Sequence, residues 1–243
     1  MHELPDFLRG VFGSVDLESR MLILKDEKPF AKGGHRACYR HPSDPKKCVK
    51  IMTSDWRTTG RRAKASWLDR VCRPKWYFHD NLFEYRFLKG EEKRVGEAAW
   101  EFLPRAYEIL ETDVGESESL VVDLITDADG EVSVTLVEYL WENGMTDECR
   151  EALRAMWRGV EENRIFVQGR PDNLVVQKRS DGTCRCYAID GFGFAQLIPL
   201  LRWSSGVAAK RFRKRKEKLR RSIDRILQQR EDDSAAPDKG FLL

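Results

Sequence analysis

Six positions carry residue types suited to holding phosphate and a divalent cation, in the order Gly33, Gly34, Lys50, Glu84, Asn173 and Asp190. A glycine pair without Cβ atoms lets backbone amides approach phosphate oxygens, although a plain hairpin turn would use the same residues. Lys50 stands in the apolar run CVKIM. It reads either as a lysine on the exposed face of an edge strand or as an ammonium pointing into a cleft. Glu84 follows on a helix and reads either as that ammonium's partner or as a solvent-facing charge. Asn173 lies in the turn PDN before LVV, a turn common ahead of strands. Asp190 ends the run YAI ahead of a flexible glycine turn.

The elements that must position these residues follow from periodicity. Residues 20–24 (RMLIL) suit a short strand, 30–42 a glycine-containing turn, and HPSDP a tight polar reversal before a strand over 47–52. Residues 53–75 are polar and basic without a clean period and read as an insertion. Asp80 or Asn81 can cap a helix whose apolar positions are Leu82, Phe83, Tyr85, Phe87 and Leu88, which puts Glu84 inside it. Residues 103–110 and 120–125 read as strands joined by an acidic hairpin turn, and DADGE at 127–131 as a turn or hinge. Leu153, Met156, Trp157 and Val160 fall on one helical face, with Thr146 or Asp147 as cap and an end near Asn163. A polar loop, the strands LVVQK and CRCYAI, the turn DGFG and a basic C-terminal helix complete the chain. The class is α+β. The expected organisation is a lead-in over 1–19, a β-rich unit with one helix over 20–126, a helical unit over 127–230 and a flexible tail over 231–243.

The loop RIFVQGRPDNLVV resembles the protein-kinase catalytic loop H-R-D-L-K-P-E-N-L-L-V, and Asp190 in YAIDGFG resembles the D-F-G metal site. This resemblance implies a two-lobed protein-kinase-like fold with a reduced C-terminal lobe, binding ATP and Mg2+ between the lobes. Lys50 would contact the α- and β-phosphates and be held by Glu84. Gly33, Gly34 and Arg170, the last in place of the loop lysine, would face the nucleotide, and Asn173 and Asp190 the metal. The pattern breaks at Gln168, five places before Asn173, where the catalytic aspartate belongs. An amide cannot take a substrate proton as a carboxylate does. Ala31 replaces the first loop glycine, no A-P-E motif follows, and the chain beyond DGFG is short for a substrate-docking subdomain. Asp172 is the other candidate base.

A narrower resemblance lies in GHRACYRHPSDPKKCVKI, LPRAYEILETDVG, DADGEVSVTLVE, ENRIFVQGRPDNLVV and IPLLRWS. Over roughly 25–205 the chain is similar to the YrbL family of PhoP-regulatory-network proteins. That implies a bacterial cytoplasmic protein whose expression belongs to an envelope-stress regulon. The expected function is that of a kinase-like, nucleotide-binding regulatory protein with weak, atypical or absent phosphotransferase activity. Two rivals stay open, an active small-molecule or protein kinase using Asp172 as base, and a non-enzymatic adaptor acting through its basic helix.

Composition bounds the rest. With 41% hydrophobic and 34% charged residues the chain suits a globular protein, and no run approaches the roughly 18 apolar residues of a membrane span. No secretion signal opens it. Six cysteines without a C-x-x-C pair read as reduced thiols rather than a zinc site. Residues 210–221 (KRFRKRKEKLRR) carry nine basic residues against Glu217, a local charge of +8; with a total of +3, the remainder carries −5. The segment from Lys210 to Arg221 reads either as a solvated helix face or as a contact for nucleic acid or an anionic membrane. Its apolar positions would also allow an amphipathic surface helix.

Overall fold

A computed structural model describes residues 21–53, 67, 74–115, 117–192 and 205–232. The expected N-terminal lead-in, most of the 53–75 insertion, the IPLLRWS segment and nearly all of the tail lie outside the described residues.

Strands β1 (Ala31–Lys32), β2 (Arg36–His41), β3 (Asp44–Met52), β4 (Ala106–Leu110) and β5 (Ser119–Asp123) form one antiparallel sheet in the order β1-β2-β3-β5-β4. Lys50 therefore lies on the central strand, not on an edge. Period-two alternation gives the sheet two faces. Val49 and Ile51 point to one side, where Leu24 covers them. Cys48 and Lys50 point to the other, beside Cys38 and Leu120 through the pairs Cys38↔Lys50 and Lys50↔Leu120.

Two expectations are corrected in this region. Of residues 20–24, the described ones do not join the sheet: Leu22 makes only an isolated bridge to Thr112, and Leu24 N–H donates to Asp113 Oδ1 at 2.6 Å. The span 30–42 is not all turn, because β2 occupies Arg36–His41 and pairs along β3. Turn-forming residues at both its ends, Gly33, Gly34, Pro42 and Ser43, masked the short strand between them.

Helix α1 (Asp80–Val95) packs beneath this sheet. Its cap is His79, whose Nδ1 accepts from Leu82 N–H at 3.4 Å, rather than Asp80 or Asn81. Asn81 turns inward instead, and its Nδ2 donates to the backbone oxygens of Lys50 at 2.8 Å and Glu118 at 2.9 Å. Those bonds fasten the first turn of α1 to the sheet.

Helix α2 (Leu136–Asn143) was not anticipated, although Thr135 and Glu138 have capping-box spacing and form the box. Helix α3 (Asp147–Glu162) starts at the Thr146 cap and ends at Asn163 as expected, burying Leu153, Met156, Trp157 and Val160. Strands β6 (Leu174–Lys178) and β7 (Cys184–Ala188) make an antiparallel hairpin preceded by the 3-10 turn Pro171–Asn173. Helix α4 (Ser205–Glu231) is 27 residues long and packs on α2.

Candidate functional site

The geometry begins with the strand face. Lys50 and Arg36 lie on the inward side of the sheet, and Glu84 reaches them from α1, one turn beyond the Asn81 anchor. Lys50 Nζ lies 2.6 Å from Glu84 Oε1 and donates to the Ile189 carbonyl at 2.8 Å. Arg36 donates through Nη1 to Glu84 Oε2, and its Nη2 lies 2.7 Å from Asp190 Oδ2. Two cations and two carboxylates thus close a neutral cluster. Glu84 and Lys50 are almost wholly buried, whereas Asp190 keeps 31% of its side chain exposed.

The β6–β7 hairpin supplies the other half. Its register pairs Leu174 with Ala188, so Asn173 and Ile189 flank the hairpin's open end, joined by Ile189 N–H to Asn173 O at 2.9 Å. Asp190 comes next. Gly191 has φ +72, and a Cβ there would lie 2.4 Å from Asn173 Nδ2 and 3.0 Å from Gln168 Cβ. Glycine is required at that point, and Asn173, Gln168 and Asp190 converge around it. Gln168 N–H also donates to Gly191 O at 3.0 Å. Phe192, two residues after Asp190, stacks on Phe87 of α1 with centroids 4.9 Å apart.

Charge follows from this packing. Burial would push the Asp190 carboxyl up, but the Arg36 and Lys50 charges and the hydrogen bonds from Arg36 and Gly191 N–H hold its pKa at about 2. Burial likewise disfavours the Lys50 ammonium, and Glu84 leads the interactions that nevertheless raise its pKa. For Arg36, Asp190 and then Glu84 outweigh burial and secure its charge.

Arg36, Lys50 and Asp190 of the cluster border a cleft between the sheet and the hairpin. Its apolar lining includes Ala31, Cys38, Cys48, Val122, Leu124 and Val175. Lys50 and Asp190 line it as well. A slot with apolar walls and a few convergent polar groups is the usual form of a small-molecule site.

Other sequence-predicted residues lie differently. Gly33 N–H donates to Arg36 O at 2.7 Å, closing the turn between β1 and β2. Neither Gly33 nor Gly34 has positive φ, and a Cβ on Gly34 would meet nothing within 4 Å. Position 34 of that turn does not demand glycine. Asp172 is held by Arg170 in a two-pronged pair, Nε to Oδ1 at 2.9 Å and Nη2 to Oδ2 at 2.5 Å. Among the described residues, no group of three or more His, Cys, Asp or Glu side chains could cage a metal.

Arg36 is the site residue that motif reading missed. It was visible only as a charge two places before Cys38, on the strand face that also carries Lys50. Recognising it needed the β2–β3 register.

Residues 22–224 match the family model described as PhoP regulatory network protein YrbL, and the chain belongs to that family. It is 29% identical over 188 residues to the YrbL proteins of Escherichia coli (strain K12) and Shigella flexneri, covering 76% of this chain and 79% of each relative. Among solved structures, the Rio2 kinase–ADP/Mg2+–phosphoaspartate complex from Chaetomium thermophilum matches with TM-score 0.30 and 13% identity, over 89% of this chain and 69% of that one. That likeness is too slight to bear on fold or ligand. No described helix is long and apolar enough to cross a membrane.

Proposed function

We propose that this YrbL-family protein is a kinase-like nucleotide-binding protein with weak, atypical or absent phosphotransferase activity and a regulatory role. The sheet with α1 would form the N-terminal lobe, and α2, α3, the hairpin and α4 a reduced C-terminal lobe. The observation that carries the reading is the buried Lys50–Glu84 pair, bonded to the backbone just ahead of Asp190, with Lys50 and Asp190 both lining an apolar slot.

The residues fit ATP with magnesium. The apolar walls suit a base, Lys50 suits phosphate oxygens, and Asp190 with Asn173 gives the small set of oxygen ligands that magnesium takes beside phosphates and water. Bound magnesium would neutralise phosphate charge as it develops. Gln168, in the place of a base, can orient a hydroxyl or water but cannot accept its proton. The Arg170 fork engages both carboxylate oxygens of Asp172 and leaves it a poor substitute. Positioning and charge neutralisation supply most of phosphoryl-transfer catalysis, so slow transfer is compatible with this site.

The test is the shift in melting temperature that ATP and magnesium produce, read as the difference with and without ligand. Wild type should gain stability, while Lys50→Ala and Asp190→Ala should gain none. No shift in wild type, or equal shifts in all three proteins, would sink the reading.

A further inference from the structure

We infer that the outward face of α4 docks the phosphodiester backbone of nucleic acid, a site separate from the cleft. At about 3.6 residues per turn, Lys210, Lys214, Lys218, Arg221 and Arg225 fall in one stripe along the helix, about 22 Å long at 1.5 Å per residue. Lys210, Lys214, Lys218 and Arg225 are exposed. The ion pairs on this helix engage Arg221 alone of the five: Glu217 takes Arg220 and Arg221, and Glu161 takes Lys216 at 2.7 Å. Among the described residues, none of the four has an acidic partner.

Three partner classes meet this stripe differently. An anionic bilayer is held stably when an apolar face enters it beside the charges. That face is already used, because Ala208, Phe212, Leu219 and Ile226 are buried and Phe212 stacks on Phe166 with centroids 4.8 Å apart. The amphipathic surface-helix expectation is corrected on this ground. A protein partner would want aromatic or apolar anchors among the charges, and the only large hydrophobic exposed on α4 among the described residues is Val207, at the end remote from most of the stripe. A nucleic-acid strand asks for cations in a line, which is what the stripe offers. The helix also stands on the candidate loop, through Arg215 to the Val167 carbonyl, and on α3, through Lys216 to Glu161. Docking there needs no rearrangement of the core.

The experiment uses the full chain and fluorescence anisotropy, with a labelled DNA duplex of two helical turns and an RNA single strand of matching length. One variant combines Lys210→Gln, Lys214→Gln, Lys218→Gln and Arg225→Gln. A control combines Lys25→Gln, Lys28→Gln, Lys46→Gln and Lys93→Gln, which remove the same charge from exposed positions elsewhere. Wild type and control should bind one or both probes, with affinity falling as salt rises. The α4 variant should bind at least about tenfold more weakly at low salt, with a log–log salt slope on the duplex shallower by about 3 to 4. The duplex and single-strand arms decide which backbone is preferred. Equal binding by variant and control, or retention by phosphatidylserine vesicles under conditions where neither probe binds, would overturn the proposal. ATP-induced stabilisation should be the same in all three proteins, so failure here is distinguishable from failure of the cleft reading.

Discussion

At the scale of single residues, Asp190 ties the cluster to solution conditions. Its folded pKa is depressed to about 2 from an ordinary value of about 3.9, so its stabilising contribution is full above the ordinary value and is lost as pH falls through about 2. Acid-unfolding curves should therefore differ between wild type and Asp190→Asn chiefly in the window from about pH 4 to about pH 2, where only wild type loses this contribution. Arg36 is the main support for that depression. In Arg36→Ala the Asp190 carboxyl should titrate closer to the ordinary value, as read by carbon NMR of the side-chain carboxyl. Glu84 serves two buried cations at once. Glu84→Ala should destabilise by about 3–5 kcal/mol in chemical denaturation, because Lys50 and Arg36 are left without their shared carboxylate.

At the scale of elements, the site depends on three placements. Asn81 pins α1 to the sheet, the β6–β7 register brings Asn173 beside Ile189, and the capping box starts α2 next to the cleft. Thr135→Ala removes the side-chain oxygen that accepts from Glu138 N–H and should cost about 1 kcal/mol. Packing between elements is tight elsewhere too. A Cβ on Gly159 of α3 would lie 1.9 Å from Phe102 Cζ, so Gly159→Ala should destabilise by about 1–3 kcal/mol, read from the denaturation midpoint. Strand β3, α1, α3 and the hairpin were legible because their periodicities are long and their apolar positions consistent. Strand β2 was hidden by flanking turn residues, and α2 by its length, eight residues against sixteen in α1 and in α3.

At the scale of the whole molecule, charge is segregated: residues 210–221 carry +8 against −5 on the rest. The helix bearing that charge is also part of the core, since Phe212 and Leu219 are buried. Deleting 210–221 should therefore lower the melting temperature sharply instead of merely removing a binding surface. The four glutamine substitutions on its outward face should change stability by about 0.5 kcal/mol or less. Thermal melts of the two proteins side by side check the contrast.

Local chemistry and spacing were enough to nominate Lys50, Glu84, Asn173 and Asp190, because a lysine in an apolar strand, a carboxylate in a helix and a turn before a hairpin are short-range signals. The loop resemblance nominated Gln168 as well, and the structure keeps that residue beside Gly191 and Asn173. Only the tertiary structure decided that Lys50 is central and buried, that Arg36 joins it, and that Asp172 is paired with Arg170. It decided too that the apolar side of the basic helix is spent on the core. Each of those depends on register or packing between segments distant in the chain, and no local pattern encodes which of two faces a side chain will find occupied.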